Sequence, residues 1–511
     1  MSRNDASEPR AARGLRAAIE GVLPAERFGD HRAILGGAAQ NVVGLVVGAV
    51  AFAAAQVLMS RTLGAERYGI ATMAVQIAFV GSTATRFGMD VANIRLVAIL
   101  VGKGESGRVR GLVARAAGIA AVVSVAAGLV LFVASGALAR RLSEIPGVAR
   151  PAFQAAALAL PLAALAQTWL GATRGLKIMR HTLYVQWIGQ PLGWIAFTLL
   201  AWTVAETAGA TVLAYAASWG LAMVAAWYAW ERESVRLTAR TEGGGIAEEH
   251  TGALTRFGAF RAPAALFAHL VFWTDFYVLS TFATDRTSGI YAAVLQAGQS
   301  LFLFLTSLSL MFSPFVADLH HRGERDRLDG LYKSVTRWTL AATIPVLLVL
   351  AILPGPVLRI FGGDFVEGET ALRILIVGMI VPVMVGTVGF ILIMAGRTGW
   401  DLLVYVGGFA IDVGVALALA RPEVLGIRGA AIAQALTLSF SAVARLMLVR
   451  RFLGIWPFDR DFLRLAVPAA IGGTAMACCA GPPSWTGSSR WRAARPWGWR
   501  PTGSSATPAR S

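Results

Sequence analysis

The sequence predicts an all-α, polytopic membrane protein, and three observations carry that prediction. Of the 511 residues, 56% are hydrophobic and only 15% are charged, whereas a soluble domain carries roughly 25% charge. The mean hydropathy is +0.61, and apolar stretches recur from Ile34 to Ala480, each about 20 residues long, enough to cross a bilayer core. They consist of Ala, Val, Leu and Ile with frequent Gly, without the alternating polarity that a lipid-facing strand needs over about ten residues. The pattern speaks against a soluble enzyme and against a barrel.

Taken in order, residues 1–33 hold Arg3, Arg10, Arg13, Arg16, Arg27 and Arg32 with no apolar core, and read as a cytoplasmic segment rather than a cleaved signal peptide. Six spans follow within 34–229, at 34–58, 70–88, 112–135, 151–172, 182–203 and 208–229. The link 230–259 carries Glu231, Arg232, Glu233 and Arg236, then Gly243, Gly244 and Gly245 before Glu248 and Glu249, and reads as a flexible cytoplasmic hinge. Six more spans occupy 260–450, at 260–281, 288–316, 338–360, 371–395, 401–420 and 428–449. Residues 451–480 add one further helix at 463–480, and 481–511 form a tail.

The formal charge of +17 does not point to nucleic acid, because the arginines fall mainly in short links between apolar runs, where they orient a membrane protein. With a cytoplasmic N-terminus, the links after even-numbered spans face the cytoplasm. These hold Arg174, Lys177 and Arg180, the group from Arg322 to Arg337, and the group from Arg450 to Arg464. Arg140 and Arg141 run against the rule. Cys478 and Cys479 are adjacent and cannot staple distant segments.

The two halves carry a faint repeat offset by about 220 residues. Leu58 to Gln76 reads LMSRTLGAERYGIATMAVQ and Leu279 to Gln296 reads LSTFATDRTSGIYAAVLQ, so Gly69 aligns with Gly289 and Gln76 with Gln296. Halves of six spans share an orientation and are related by an axis along the membrane normal.

Candidate chemistry lies in the residues that are costly to bury. Asp275 sits within span seven, where an unpaired aspartate costs about 2.5 to 3.5 kcal/mol, and Asp412 sits at a similar depth in span eleven. They read either as a protonatable or cation-binding pair, coupling transport to H+ or Na+, or as separate aspartates hydrogen-bonded for packing. His269 precedes Asp275 by six residues, about 9 Å along a helix and off its face, so the two are not expected to pair directly. Gln76 and Gln296 lead a set with Gln40, Gln56, Gln167, Gln186, Gln190, Gln299 and Gln434. Amides of this kind either line a wet path for hydroxyl-rich cargo or hold helices together. Arg86, Arg174, Lys177 and Arg180 either receive an anionic head group from the cytoplasm or snorkel to the interface. No glycine-rich phosphate loop followed by Lys and Ser or Thr occurs, and neither His320 with His321 nor Asp326 with Asp329 has metal-ligand spacing. No catalytic residue, metal site or cofactor is expected.

Several stretches together resemble the polysaccharide transporter family of Wzx-type flippases, within the superfamily that includes MATE exporters and the lipid II flippase. They are LMSRTLGAERYG, TRFGMDVANIRLVA, GATRGLK, Asp275 ahead of SGIYAAVLQ, MFSPF, RIFGGDFVEGETALRILIVG and GIRGAAIAQALTLSF. Their order over about 480 residues carries the resemblance. It implies two six-helix bundles around a central cavity with one or two extra C-terminal helices, alternating access, and passage of an undecaprenyl pyrophosphate-linked oligosaccharide from the cytoplasmic to the periplasmic leaflet of the bacterial inner membrane. Membrane lipids and other polysaccharide assembly proteins would be its partners. Relatives more often have Asn in the context of Asp412, so no family role is carried to it, and a fourteenth helix common among them has no counterpart here. The rival readings are a MATE-like cation-coupled exporter of amphipathic drugs and, from another class, a membrane glycosyltransferase or polymerase; the latter would need a long outward loop with catalytic carboxylates. In 481–511 the composition turns abruptly to Pro, Gly, Ser, Arg and Trp, including Trp485, Trp491, Trp497 and Trp499, which suggests a disordered tail from an altered reading frame.

Overall fold

A computed structural model describes residues 28–238, 248–302 and 322–458, with isolated positions between 303 and 321. Residues 1–27, the MFSPF motif, the expected span at 463–480, the cysteine pair and the 481–511 tail lie outside the described residues. All regular structure among the described residues is helical.

Phe28–Thr85 is one helical run broken at Gly64, where φ 72 and ψ 170 place the backbone in a region that only glycine enters cheaply. The break separates α1 (28–63) from α2 (65–85). The first half continues with α3 (Met89–Gly102), α4 (Val109–Leu142), α5 (Pro146–Gly175), α6 (Gln190–Trp202) and α7 (Ala208–Thr238). A π-helical stretch at Leu183–Gly189 leads into α6. The second half comprises α8 (Glu248–Ser280), α9 (Asp285–Gln299), α10 (Arg325–Ile352), α11 (Pro354–Phe361), α12 (Glu369–Val385), α13 (Val388–Met394), α14 (Thr398–Leu419) and α15 (Ile427–Leu453).

Among the described residues, nine helical segments are long and apolar enough to cross a membrane, and the break at Gly64 divides one of them. They correspond to ten of the expected spans. The fifth is the stretch through α6, and the eighth begins with α9 and runs past the described residues. The chain is a multi-pass membrane protein. On α4, Val122, Leu129, Val130 and Val133 are all exposed, giving that helix an apolar outer face suited to lipid.

The helices extend beyond the expected spans at three places. Helix enters both ends of the link 230–259, because α7 runs to Thr238 and α8 starts at Glu248; Gly243, Gly244 and Gly245, on which the hinge expectation rests, lie outside the described residues. The link's charges decorate helical turns: Glu231 pairs with Arg110, and Glu233 with Arg180. The link after span two contains α3, whose Met89, Asp90, Ala92, Asn93, Val97 and Leu100 are buried. The ninth span shifts from 338–360 to Arg325–Ile352 because Pro354 opens a separate short helix, a position where its missing N–H is harmless.

Helix alternation puts the turn at Gly64 and the links 143–145, 203–207, 281–284 and 420–426 at one end, together with the 353–368 segment. The other end carries 86–88, 176–179, 322–324 and 395–397 and is richer in arginine. At the first end the halves are tied together. Asp285 Oδ2 accepts from Ser143 Oγ at 2.7 Å and from the Glu144 amide at 2.9 Å. Ser60 Oγ donates to the Phe361 carbonyl at 2.9 Å, and Arg61 Nε to the Ile360 carbonyl at 2.7 Å. Between them, α2 crosses α9 at Gly69 and Gly289, where a Cβ on either residue would strike backbone of the other helix.

Candidate functional site

The GATRG segment of α5 explains how a charged group is assembled at the arginine-rich end. Gly171 and Gly175 let α3 approach closely: a Cβ on Gly171 would enter the Asp90 backbone, and one on Gly175 would lie 2.8 Å from Val97 Cβ. Small residues four apart permit such contact, and Asn93 Nδ2 fixes it by donating to the Thr168 carbonyl at 3.0 Å. The chain reaches α3 through Phe87 and Gly88, both left-handed with φ of 50 and 68. This kink turns Asp90, in the first turn of α3, back towards Arg86, with Nε to Oδ2 at 3.6 Å and both side chains 12% exposed. Arg86 also donates to Thr83 Oγ1 at 3.2 Å.

Arg174 comes from the end of α5. Its Nε donates to the Leu170 carbonyl at 3.4 Å, while its Nη2 is buried without a hydrogen-bond partner. The charges of Arg86 and Asp90 act on both Arg174 and His269. His269 belongs to α8, and its ring meets Phe79 of α2 edge-on at 4.8 Å. The group therefore joins α2, α3 and α5 of the first half to α8 of the second. Arg86 pairs with Asp90, and Arg174 adds a second guanidinium with an unpartnered donor, a surplus of donors and positive charge suited to an anion.

The remaining basic candidates lie elsewhere. Arg180 Nη2 pairs with Glu233 at 3.0 Å, and His181 Nε2 approaches the same oxygen at 3.2 Å. Lys177, with φ of 62, lines a separate cavity beside α7. The four cations grouped from sequence spacing thus divide into Arg86 with Arg174, and Lys177 near Arg180.

The carboxylates form a second cluster wholly within the second half. Asp275 and Asp412 are both 0% exposed. The Tyr291 hydroxyl of α9 donates to Asp275 Oδ2, and the Asp275 amide donates to Asp412 Oδ2 at 3.1 Å. Thr437 Oγ1 of α15 donates to Asp412 Oδ1 at 3.4 Å. Four helices converge here, and Asp275 Oδ1, Gln434 Oε1 and Ser441 Oγ have no hydrogen-bond partner. His269 stands with the Arg86 group rather than with this pair. Asp90, Tyr291 and Thr437 are not singled out by the sequence reading, although all three stand inside motifs quoted above.

The glutamines divide between structural and unsatisfied roles. Gln56 Oε1 accepts from Tyr68, and Gln190 Nε2 donates to Ser218, which are helix-to-helix bonds. Gln76 is buried with Oε1 unpartnered. Gln296, half-buried on α9, stands seven residues beyond Gly289, as Gln76 stands seven beyond Gly69.

No family model matches the chain, and no curated protein matches it. Solved structures do. A multidrug resistance MATE family transporter in its inward-facing conformation aligns with a TM-score of 0.64 at 14% identity, over 81% of this chain and 98% of that one. The lipid II flippase MurJ, in an inward closed conformation, aligns with a TM-score of 0.66 at 13% identity, over 86% and 92%. The chain shares the fold of these two transporters. A third member of that fold, from Pyrococcus furiosus, aligns with a TM-score of 0.59 at 13% identity, over 82% and 95%; its binding pocket is described as reversed in polarity, suggesting a different function. Identities this low establish the fold alone, so a function has to be argued from the residues.

Proposed function

We propose that the protein is a flippase that carries a lipid-linked oligosaccharide, built on undecaprenyl pyrophosphate, from the cytoplasmic to the periplasmic leaflet of the bacterial inner membrane. The observation that carries this reading is the Arg86 and Arg174 pair, in which Arg86 meets Asp90 and Arg174 Nη2 has no hydrogen-bond partner among the described residues, set where Phe79 and His269 join the halves. A pyrophosphate offers several anionic oxygens to such donors. The sugar would travel in a polar interior with its hydroxyls satisfied, since leaving them unpaired in hydrocarbon costs several kcal/mol each, while the lipid tail stays in the bilayer. The arginine-rich end is cytoplasmic in this reading, by the preference of basic links for that side.

Asp275 and Asp412 supply the coupling site. Two buried carboxylates without a basic partner in their hydrogen-bond set are too costly to keep fully charged, so the pair takes up H+ or Na+ and releases it as the halves move. Their full burial inside one half argues against the rival drug exporter, whose cationic cargo would need to reach them. Other polysaccharide assembly proteins supply the cargo and receive it. Deleting the gene and identifying by mass spectrometry the lipid-linked intermediate that accumulates in the cytoplasmic leaflet tests this reading. Accumulation of a complete oligosaccharide on undecaprenyl pyrophosphate is expected, whereas an unchanged lipid profile with drug sensitivity would favour the exporter.

A further inference from the structure

A cavity of about 800 Å³ opens at the arginine-rich end of the first half, on the side of α3 that carries Ala98, Val101 and Gly102. The α5 exit, from Gly175 to Ile178, and the end of α7 complete its wall. Its lining combines two chemistries. Ala98, Val101, Leu176, Ile178 and Leu237 are apolar, whereas Lys177, Arg236 and Glu233 are charged. Glu233 is already engaged by Arg180 at 3.0 Å, His181 at 3.2 Å and Arg236 at 3.5 Å, so it organises the basic side chains rather than inviting a further cation. Lys177 stands in the left-handed region at φ 62, a conformation that costs a non-glycine residue energy and clusters at functional sites.

We infer that this cavity binds the phosphate head group of an anionic membrane phospholipid, held by Lys177 and Arg236, with an acyl chain along the apolar wall. Basic pockets between transmembrane helices favour such head groups. The position suits a lipid and not the transported cargo, because the lining belongs to α3, α5 and α7 of the first half alone, whereas Arg86 and Arg174 lie where the halves meet. A lipid seated here would brace α3, the helix that carries Asp90.

The test is native mass spectrometry of the full-length protein titrated with phosphatidylglycerol, with phosphatidylcholine as the neutral control. Phosphatidylglycerol should bind preferentially, and the double variant Lys177→Gln, Arg236→Gln should lower its affinity about thirtyfold while leaving phosphatidylcholine unchanged, from about 1 kcal/mol per basic residue near a lipid head group. Undecaprenyl pyrophosphate should not displace it. In the unsubstituted protein, a phosphatidylglycerol carrying a photoreactive acyl chain should label peptides within 98–102 or 175–178, which decides the matter even if the double variant fails to fold. Equal binding by the variant, displacement by undecaprenyl pyrophosphate or labelling confined to other helices would each overturn the inference.

Discussion

Gly69 and Gly289 lie against each other where α2 crosses α9, so closely that a Cβ on either would meet backbone atoms of the other helix. The two occupy equivalent positions in the sequence repeat. Helices related by a two-fold operation meet at equivalent residues, so this crossing is where such an axis would pass. Beside it, Tyr68 packs edge-on against Phe365 at 5.6 Å, and the Asp285, Ser60 and Arg61 bonds close the same end.

Gly69→Ala and Gly289→Ala should each destabilise the protein by about 1 to 3 kcal/mol, the usual penalty for forcing atoms into a packed contact. Gly118→Ala, where an added Cβ meets nothing within 4 Å, should be neutral. Thermal unfolding in detergent, read by intrinsic fluorescence, measures all three. Equal stability across the set would mean that the crossing readily spreads.

Asp285→Ala removes the acceptor of both Ser143 Oγ and the Glu144 amide. Losing a charged acceptor costs about 1 to 3 kcal/mol, enough to shift the balance between closed and open states at that end. With Cys478 and Cys479 replaced by Ser, a single cysteine placed at Ala65 should then react faster with a membrane-impermeant maleimide added from the periplasmic side. An unchanged labelling rate would remove Asp285 from the closure.

The repeat shows what the sequence made legible and what it hid. Helical class and the ten matched spans follow from apolar length alone, and Gly69 could be aligned with Gly289 because tight crossings restrict residue choice. Asp275 and Asp412 could both be marked as costly, but nothing in linear spacing brings α8 against α14. Tyr291 was hidden because an aromatic within an apolar run reads as core until its hydroxyl is seen to donate. Asp90 was hidden for a related reason: near Arg86 and Arg95 it resembles ordinary link polarity, and only the Gly171 and Gly175 contacts reveal that α3 is packed inward. Linear spacing does not separate Arg174 from Lys177 and Arg180, because the α5 exit turns between them and sends neighbours in sequence to different surroundings.

Tyr291→Phe and Asp275→Asn should both insert normally and flip poorly. The first leaves Asp275 without its phenolic donor, a loss of about 1 to 3 kcal/mol; the second removes a charge that the coupling step requires. Membrane abundance and cargo translocation, measured together, separate insertion from transport. Normal translocation by Asp275→Asn at matched abundance would exclude that carboxylate from coupling.

Arg86→Gln and Arg174→Gln should each weaken binding of a pyrophosphate-bearing lipid analogue about tenfold or more, since a hydrogen bond to a charged group is worth about 1.5 to 3 kcal/mol. Asp90→Asn should tighten binding, because it removes the carboxylate that competes for Arg86. All of these affinities should fall with added salt. Weaker binding by Asp90→Asn would mean that the carboxylate positions Arg86 rather than competes for it.

The most direct measurement reconstitutes the purified protein into vesicles holding a fluorescent oligosaccharide on undecaprenyl pyrophosphate, and follows its arrival in the opposite leaflet by enzymatic access to the sugar. Transfer is expected to depend on an imposed H+ or Na+ gradient and to fall at least tenfold in Arg86→Gln and in Asp275→Asn. Gradient-independent transfer that both variants sustain at the unsubstituted rate, or no transfer at all while a cationic drug is moved, would contradict the account.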